Sequence, residues 1–128
     1  MDALTALAPD VPVESEAGRR VRAFRATDHF AVSVYQAVKS FTRPEGEDLA
    51  REIRGAVARS GGALVAAASA QEDDPEAARA LARAHRGMLE IRYFLYLARR
   101  LGCLDLKRYR QLATLQDAAL RELAALLA

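Results

Sequence analysis

His85 to Asp105 reads HRGMLEIRYFLYLARRLGCLD. Within it Met88, Ile91, Leu95 and Ala98 recur at steps of three and four, which is one stripe along a helix. Phe94 and Leu101 widen that stripe. Leu89, Tyr93, Tyr96 and Leu97 fall on other faces of the same helix. A helix that is apolar on more than one side needs cover on more than one side. The segment is therefore expected to pack into its own bundle and to offer Leu89, Tyr93, Tyr96 and Leu97 as an interface to a second subunit. Gly102 follows the last turn, where a glycine takes the left-handed conformation that ends a helix. Arg99 and Arg100 precede it, at the negative end of the helix dipole. Asp105 is placed to cap the next helix. One helix–turn–helix corner is thus legible, and the remaining elements are read outward from it.

Upstream of the corner, Asp74 and Pro75 form a cap and first-turn pair, so the third helix is expected over Pro75 to Leu101. Downstream, Tyr109, Leu112, Leu115, Ala119, Leu123 and Leu126 define a fourth helix from Leu106 to Leu127. A second helix begins among the acids of Glu45 to Asp48, with Leu49, Ile53, Ala56, Val57, Leu64 and Ala67 as its stripe. Gly55, Gly61 and Gly62 within it suggest close backbone approach, or a kink at Gly61-Gly62. A first helix is expected from Asp28 to Phe41 on Phe30, Val34, Ala37, Val38 and Phe41, capped by Thr27 or Asp28. Arg43-Pro44 separates it from the second. Residues 1–26, with Pro9, Pro12 and the cluster Arg19, Arg20, Arg22 and Arg25, read as an arm. Its last part is able to extend the first helix backwards. Four helices with three short connections predict an all-α, antiparallel up-down-up-down four-helix bundle over residues 27–128.

Composition agrees with this reading and narrows the function. Of the 128 residues 52% are hydrophobic but only 6% aromatic, with no Trp, so Ala and Leu supply the core. Both are strong helix formers. The net charge of +2 is mildly basic. A single cysteine, Cys103, excludes an intrachain disulfide and reads as a small side chain in an apolar corner. No apolar run is long enough to cross a bilayer. The N-terminus lacks the positive region of a signal peptide, so the expected location is cytoplasmic and no membrane partner is expected.

Little in the chain can carry chemistry. His29 and His85 are the only histidines and stand on different helices. There is no Glu-x-x-His pair of the di-iron bundles, no Cys/His cluster for zinc, and no Lys-Ser/Thr after Gly61-Gly62 for a phosphate loop. No metal, cofactor or catalytic residue is expected. The one chemical pattern is Arg79 followed by His85, the spacing of the helical HEPN-type ribonucleases, in which His85 would act as acid or base and Arg79 would hold phosphate. The usual polar residue after that Arg is Ala80 here.

A basic stripe is more prominent. Arg79, Arg83 and Arg86 share one helix face, and Lys107, Arg108 and Arg110 open the fourth helix. These six are the expected nucleic-acid contacts. No aromatic residue is read as interleaved with the stripe, so base stacking has no expected platform. The alternative is a solvated surface with intrahelical pairs such as Arg86 to Glu90.

Leu89 to Leu112, LEIRYFLYLARRLGCLDLKRYRQL, resembles the long third helix, Leu-Gly turn and fourth helix of a family of small four-helix bundle proteins. These are the proteins encoded in 23S rRNA intervening sequences, and their relatives, the accessory variability proteins of diversity-generating retroelements. Ile53 to Ala70 sits where that family has an Ile-Arg-Arg-Ala run. The Pro, Asn and Glu of the intervening-sequence branch are absent from Ser60 to Ala67. Ile91 to Leu95 and Lys107-Arg108-Tyr109 lean toward the retroelement branch. The resemblance implies a non-enzymatic bundle that assembles into a homo-oligomer, typically a pentamer. Its expected partners are RNA or DNA and a reverse transcriptase. The other readings are an interaction bundle with no nucleic-acid role and, remotely, the ribonuclease.

Overall fold

The computed structural model describes residues 15–71 and 73–127. Four helices follow one another: α1 Glu16–Val38, α2 Arg43–Ser69, α3 Pro75–Arg100 and α4 Leu106–Leu127. Each packs on its neighbours in the ring α1-α2-α3-α4-α1, with no close backbone approach across either diagonal among the described residues. Three cross-helix relationships fix the antiparallel sense. Arg22 pairs with Glu122, Gly87 faces Ser60, and Gln116 bonds to Met88. The chain is an all-α four-helix bundle.

The apolar stripes account for the core. Phe30, Val34, Ile53, Met88, Ile91, Leu95, Leu112 and Leu123 are all buried and belong to one cluster. Aromatics are few, so Ala23, Ala56, Ala67, Ala80, Ala84, Ala98 and Ala119 fill the space between the larger side chains. Small side chains at helix crossings let the backbones approach closely.

Local chemistry sets the helix ends. The Ser15 hydroxyl accepts from the Gly18 N–H at 2.9 Å. The Asp74 carboxylate accepts from the Glu76 N–H at 2.9 Å, and that of Asp105 from the Arg108 N–H at 2.7 Å. Each satisfies a donor that a helix N-terminus leaves without a partner. At the α3 corner Gly102 has φ of +80°. The Gly102 N–H donates to the Arg99 carbonyl at 3.2 Å and the Cys103 N–H to that of Ala98 at 2.9 Å. This pair of bonds is the Schellman ending expected of that glycine.

Three sequence expectations shift. α1 starts at Glu16 and not at Asp28, so residues 16–26 of the expected arm belong to the bundle, while residues 1–14 lie outside the described residues. Val21 and Ala23 are in the buried interior, and Thr27, an expected cap, is a buried mid-helix residue. The apolar spacing continues backwards between the arginines, whose side chains hid it. At the other end α1 stops at Val38, and Phe41 is buried beyond it. The glycine expectation also moves. α2 is continuous through Gly61 and Gly62, and a Cβ at either would meet nothing within 4 Å. Close approach occurs instead at Gly87, where a Cβ would lie 2.1 Å from Ser60 Oγ.

Candidate nucleic-acid interface and outer face of α3

The six expected nucleic-acid contacts form two groups. Arg79, Arg83 and Arg86 lie near the start of α3, whereas Lys107, Arg108 and Arg110 open α4, which begins just past the far end of α3. From Arg83 to Arg100 the helix rises about 25 Å. One subunit therefore presents two separate trios.

Their surroundings differ. Arg79 Nε donates to Glu76 Oε2 at 3.0 Å, and Arg83 Nη2 to Glu76 Oε1 at 3.1 Å. These two guanidinium groups hold the Glu76 carboxyl below its ordinary range through their hydrogen bonds. The Arg86–Glu90 pair of the alternative, solvated-surface reading does not form. Among the described residues no carboxylate lies within 4 Å of Arg86. Arg86 and Glu90 instead border a groove of about 580 Å³ between α2 and α3, together with Arg59, Arg83, Ser60 and Gly87. On α4, Arg108 is partly buried and reaches the Ser33 carbonyl of α1 at 3.5 Å. It thus ties two helices together, while Lys107 and Arg110 remain exposed.

The expected subunit face divides. Leu89, Tyr93 and Tyr96 are 48%, 58% and 45% exposed, which is high for large apolar side chains. Leu97 is half-buried and packs against the core, so it belongs to the bundle more than to the outer face. Seven residues make nearly two helical turns, so Arg79, Arg86, Tyr93 and Arg100 follow one another along one side of α3. Sequence reading missed this interleaving of cations and an aromatic, although the spacing was present to be read. Both rings are supported. Tyr93 meets Phe94 with centroids 6.3 Å apart and planes tilted by 51°. The Arg100 guanidinium lies 5.9 Å from the Tyr96 ring centre and donates to the Tyr96 hydroxyl at 3.0 Å.

Between α3 and α4 a polar network reaches into the core. Arg92 donates Nε to Gln116 Oε1 at 3.1 Å and pairs with Asp117, and Gln116 is buried. Its sequence signal was a Gln occupying a core position between Leu112 and Ala119.

The ribonuclease pattern gains no geometry. The step of six from Arg79 to His85 sets them about 120° apart around the helix, and Arg79 is engaged with Glu76. Among the described residues no group of three or more His, Cys, Asp or Glu is placed to hold a metal ion, and no helix is long and apolar enough to cross a membrane. No family model, curated protein or solved structure matches the chain.

Proposed function

We propose that the protein is a non-enzymatic helical-bundle accessory protein that binds nucleic acid through the arginines of α3. The observation that carries this reading is the charge arrangement of that helix. Arg79, Arg86 and Arg100 run along its outer side and are exposed, against two carboxylates on the helix: Glu76, paired with Arg79, and Glu90, which borders the α2–α3 groove with Arg86. Glu76 is shared by Arg79 and Arg83 and Asp74 caps the helix beside them, so Arg86 is the arginine of this trio left to phosphate. Assembly into a homo-oligomer, a pentamer by the family resemblance, would run the α3 and α4 trios into a larger positive surface. A reverse transcriptase as protein partner rests on the resemblance alone.

The test is charge reversal. Changing Arg79, Arg83 and Arg86 together to Glu should weaken binding to RNA and duplex DNA and flatten its salt dependence. Unchanged affinity contradicts the proposal.

A second reading, an interaction bundle with no nucleic-acid role, is favoured by the ties of Arg79, Arg83 and Arg108 to Glu76 and Ser33. In it Leu89, Tyr93 and Tyr96 form the subunit contact. That reading predicts that Tyr96→Glu reduces the oligomer mass measured by light scattering.

A further inference from the structure

We infer that the outer face of α3 is a platform for single-stranded nucleic acid, with Tyr93 and Tyr96 stacking on bases and Arg86 and Arg100 holding the flanking phosphates. The inference rests on the nucleic-acid reading above and specifies the form of the ligand.

Tyr93 and Tyr96 stand three residues apart, which places their Cβ atoms about 5–6 Å apart on one side of the helix. Both are exposed far beyond what bundle packing needs, at 58% and 45%. Their supports preorganise them: Phe94 lies beside the Tyr93 ring, and Arg100 fixes Tyr96 by its hydroxyl. A ring held at its edge or hydroxyl and open to solvent can receive a planar base. Such stacking is tolerant of sequence because every base has a π face. Arg86 lies two turns before Tyr93, and Arg100 two turns after it. Among the described residues neither has a carboxylate within 4 Å. Cations flanking exposed aromatics form the backbone-plus-stacking arrangement used by proteins that hold single strands.

Charge decides against a like-with-like contact between two copies. A two-fold interface would bring the same face against itself, setting Arg79, Arg86 and Arg100 of one copy among those of the other with only Glu90 of each α3 left to offset them. Like charges brought together across an interface are costly. A strand supplies one negative charge per nucleotide. The remaining competitor is a head-to-tail contact with the acidic start of α2, where Glu45, Glu47 and Glu52 are exposed.

The experiment uses the full chain and two labelled probes of about 20 nucleotides, longer than the site of one small binding fold: an oligothymidylate and a mixed-sequence duplex. Binding is followed by anisotropy in the same low-salt buffer. Because the protein has four Tyr and no Trp, tyrosine fluorescence includes Tyr93 and Tyr96, and its difference from the Tyr93→Leu/Tyr96→Leu variant isolates their share. The oligothymidylate should quench it. The double variant Tyr93→Leu/Tyr96→Leu keeps apolar area but removes the rings. It should lose about tenfold or more in single-strand affinity, as expected for lost base stacking, with duplex affinity and helical circular dichroism unchanged. Tyr93→Phe/Tyr96→Phe keeps both rings but removes the Arg100 bond to the Tyr96 hydroxyl, and should lose much less strand affinity than the leucine variant. If the leucine variant binds the strand as well as the wild type while both probes still bind, the platform is overturned and the arginine reading stands. If neither probe binds, both fall. If Tyr96→Glu lowers the oligomer mass and oligothymidylate leaves the tyrosine fluorescence unchanged, the face belongs to a second copy and the platform is overturned.

Discussion

Gln116 of α4 donates from Nε2 to the main-chain oxygen of Met88 in α3 at 2.6 Å, while its Oε1 accepts from Arg92. It is a buried polar side chain with both ends of its amide satisfied, and such a group specifies the register of the helices it joins. Gln116→Ala, which leaves a void and removes both bonds, should lower the unfolding free energy by about 2–4 kcal/mol. Gln116→Leu, which keeps the volume, should cost about 1 kcal/mol. Denaturant midpoints at unchanged slope measure both. Equal losses for the two variants would show that the bonds, and not the volume, matter.

Ser60 and Gly87 are the closest approach of α2 and α3. The Ser60 hydroxyl is buried without a hydrogen-bond partner, so Ser60→Ala should be close to neutral. Gly87→Ala would set a Cβ 2.1 Å from Ser60 Oγ and 3.4 Å from its Cβ. Overpacking of this kind should cost about 1–3 kcal/mol. With Ser60→Ala already present the cost should fall, and the double variant should be less destabilised than the sum of the two single variants. Strict additivity would mean that the two residues do not touch in solution.

Among the described residues two have φ in the left-handed region, Gly102 at +80° and Arg43 at +67°. Gly102→Ala should destabilise by about 1–2 kcal/mol, the cost of a Cβ in that conformation. Pro44 disfavours the right-handed helical region at Arg43, and the chain takes the left-handed one there. Arg43→Gly should therefore be neutral or stabilising by less than about 1 kcal/mol, after the entropy of the extra glycine. Thermal melts of the two variants should move in opposite directions or leave Arg43→Gly unmoved. A clear loss at Arg43→Gly would count against this turn geometry.

Glu76 sits between Arg79 and Arg83, and their hydrogen bonds hold its carboxyl below its ordinary range. A carboxyl depressed in the folded state stabilises above its unfolded pKa, and this stabilisation is lost as pH falls through the folded value. The group is at the surface, so the visible effect should be on binding. Glu76→Gln frees two guanidinium groups and should tighten nucleic-acid binding with a steeper salt dependence. Weaker binding would mean that Glu76 positions the arginines productively.

The core was legible because its spacing is regular. Every residue of the α2 stripe from Leu49 to Ala67, and Met88, Ile91, Leu95 and Ala98 of α3, is buried as the steps of three and four require. The start of α1 was not legible, since four arginines interrupt Val21 and Phe24, and charge on the solvent side masks an apolar spacing on the other. The place of close approach depends on how two helices cross, which spacing within one helix does not contain. Gly87 therefore took the role expected of Gly61 and Gly62. The candidate binding face was half legible. Arg79, Arg83 and Arg86 stood out as a run, but Tyr93 joins them only when the helix is followed for two further turns.

The central claim, that the α3 face of this bundle holds nucleic acid by its phosphates, is tested most directly by a salt titration of the wild-type protein on labelled oligothymidylate, with oligomer mass determined in the same buffer. Contacts to three or more phosphates predict a log–log slope of about −2 or steeper, at about −0.7 per phosphate of a single strand. A stable protein of defined mass that shows no binding at low salt would contradict the claim and leave the arginines an ordinary solvated surface.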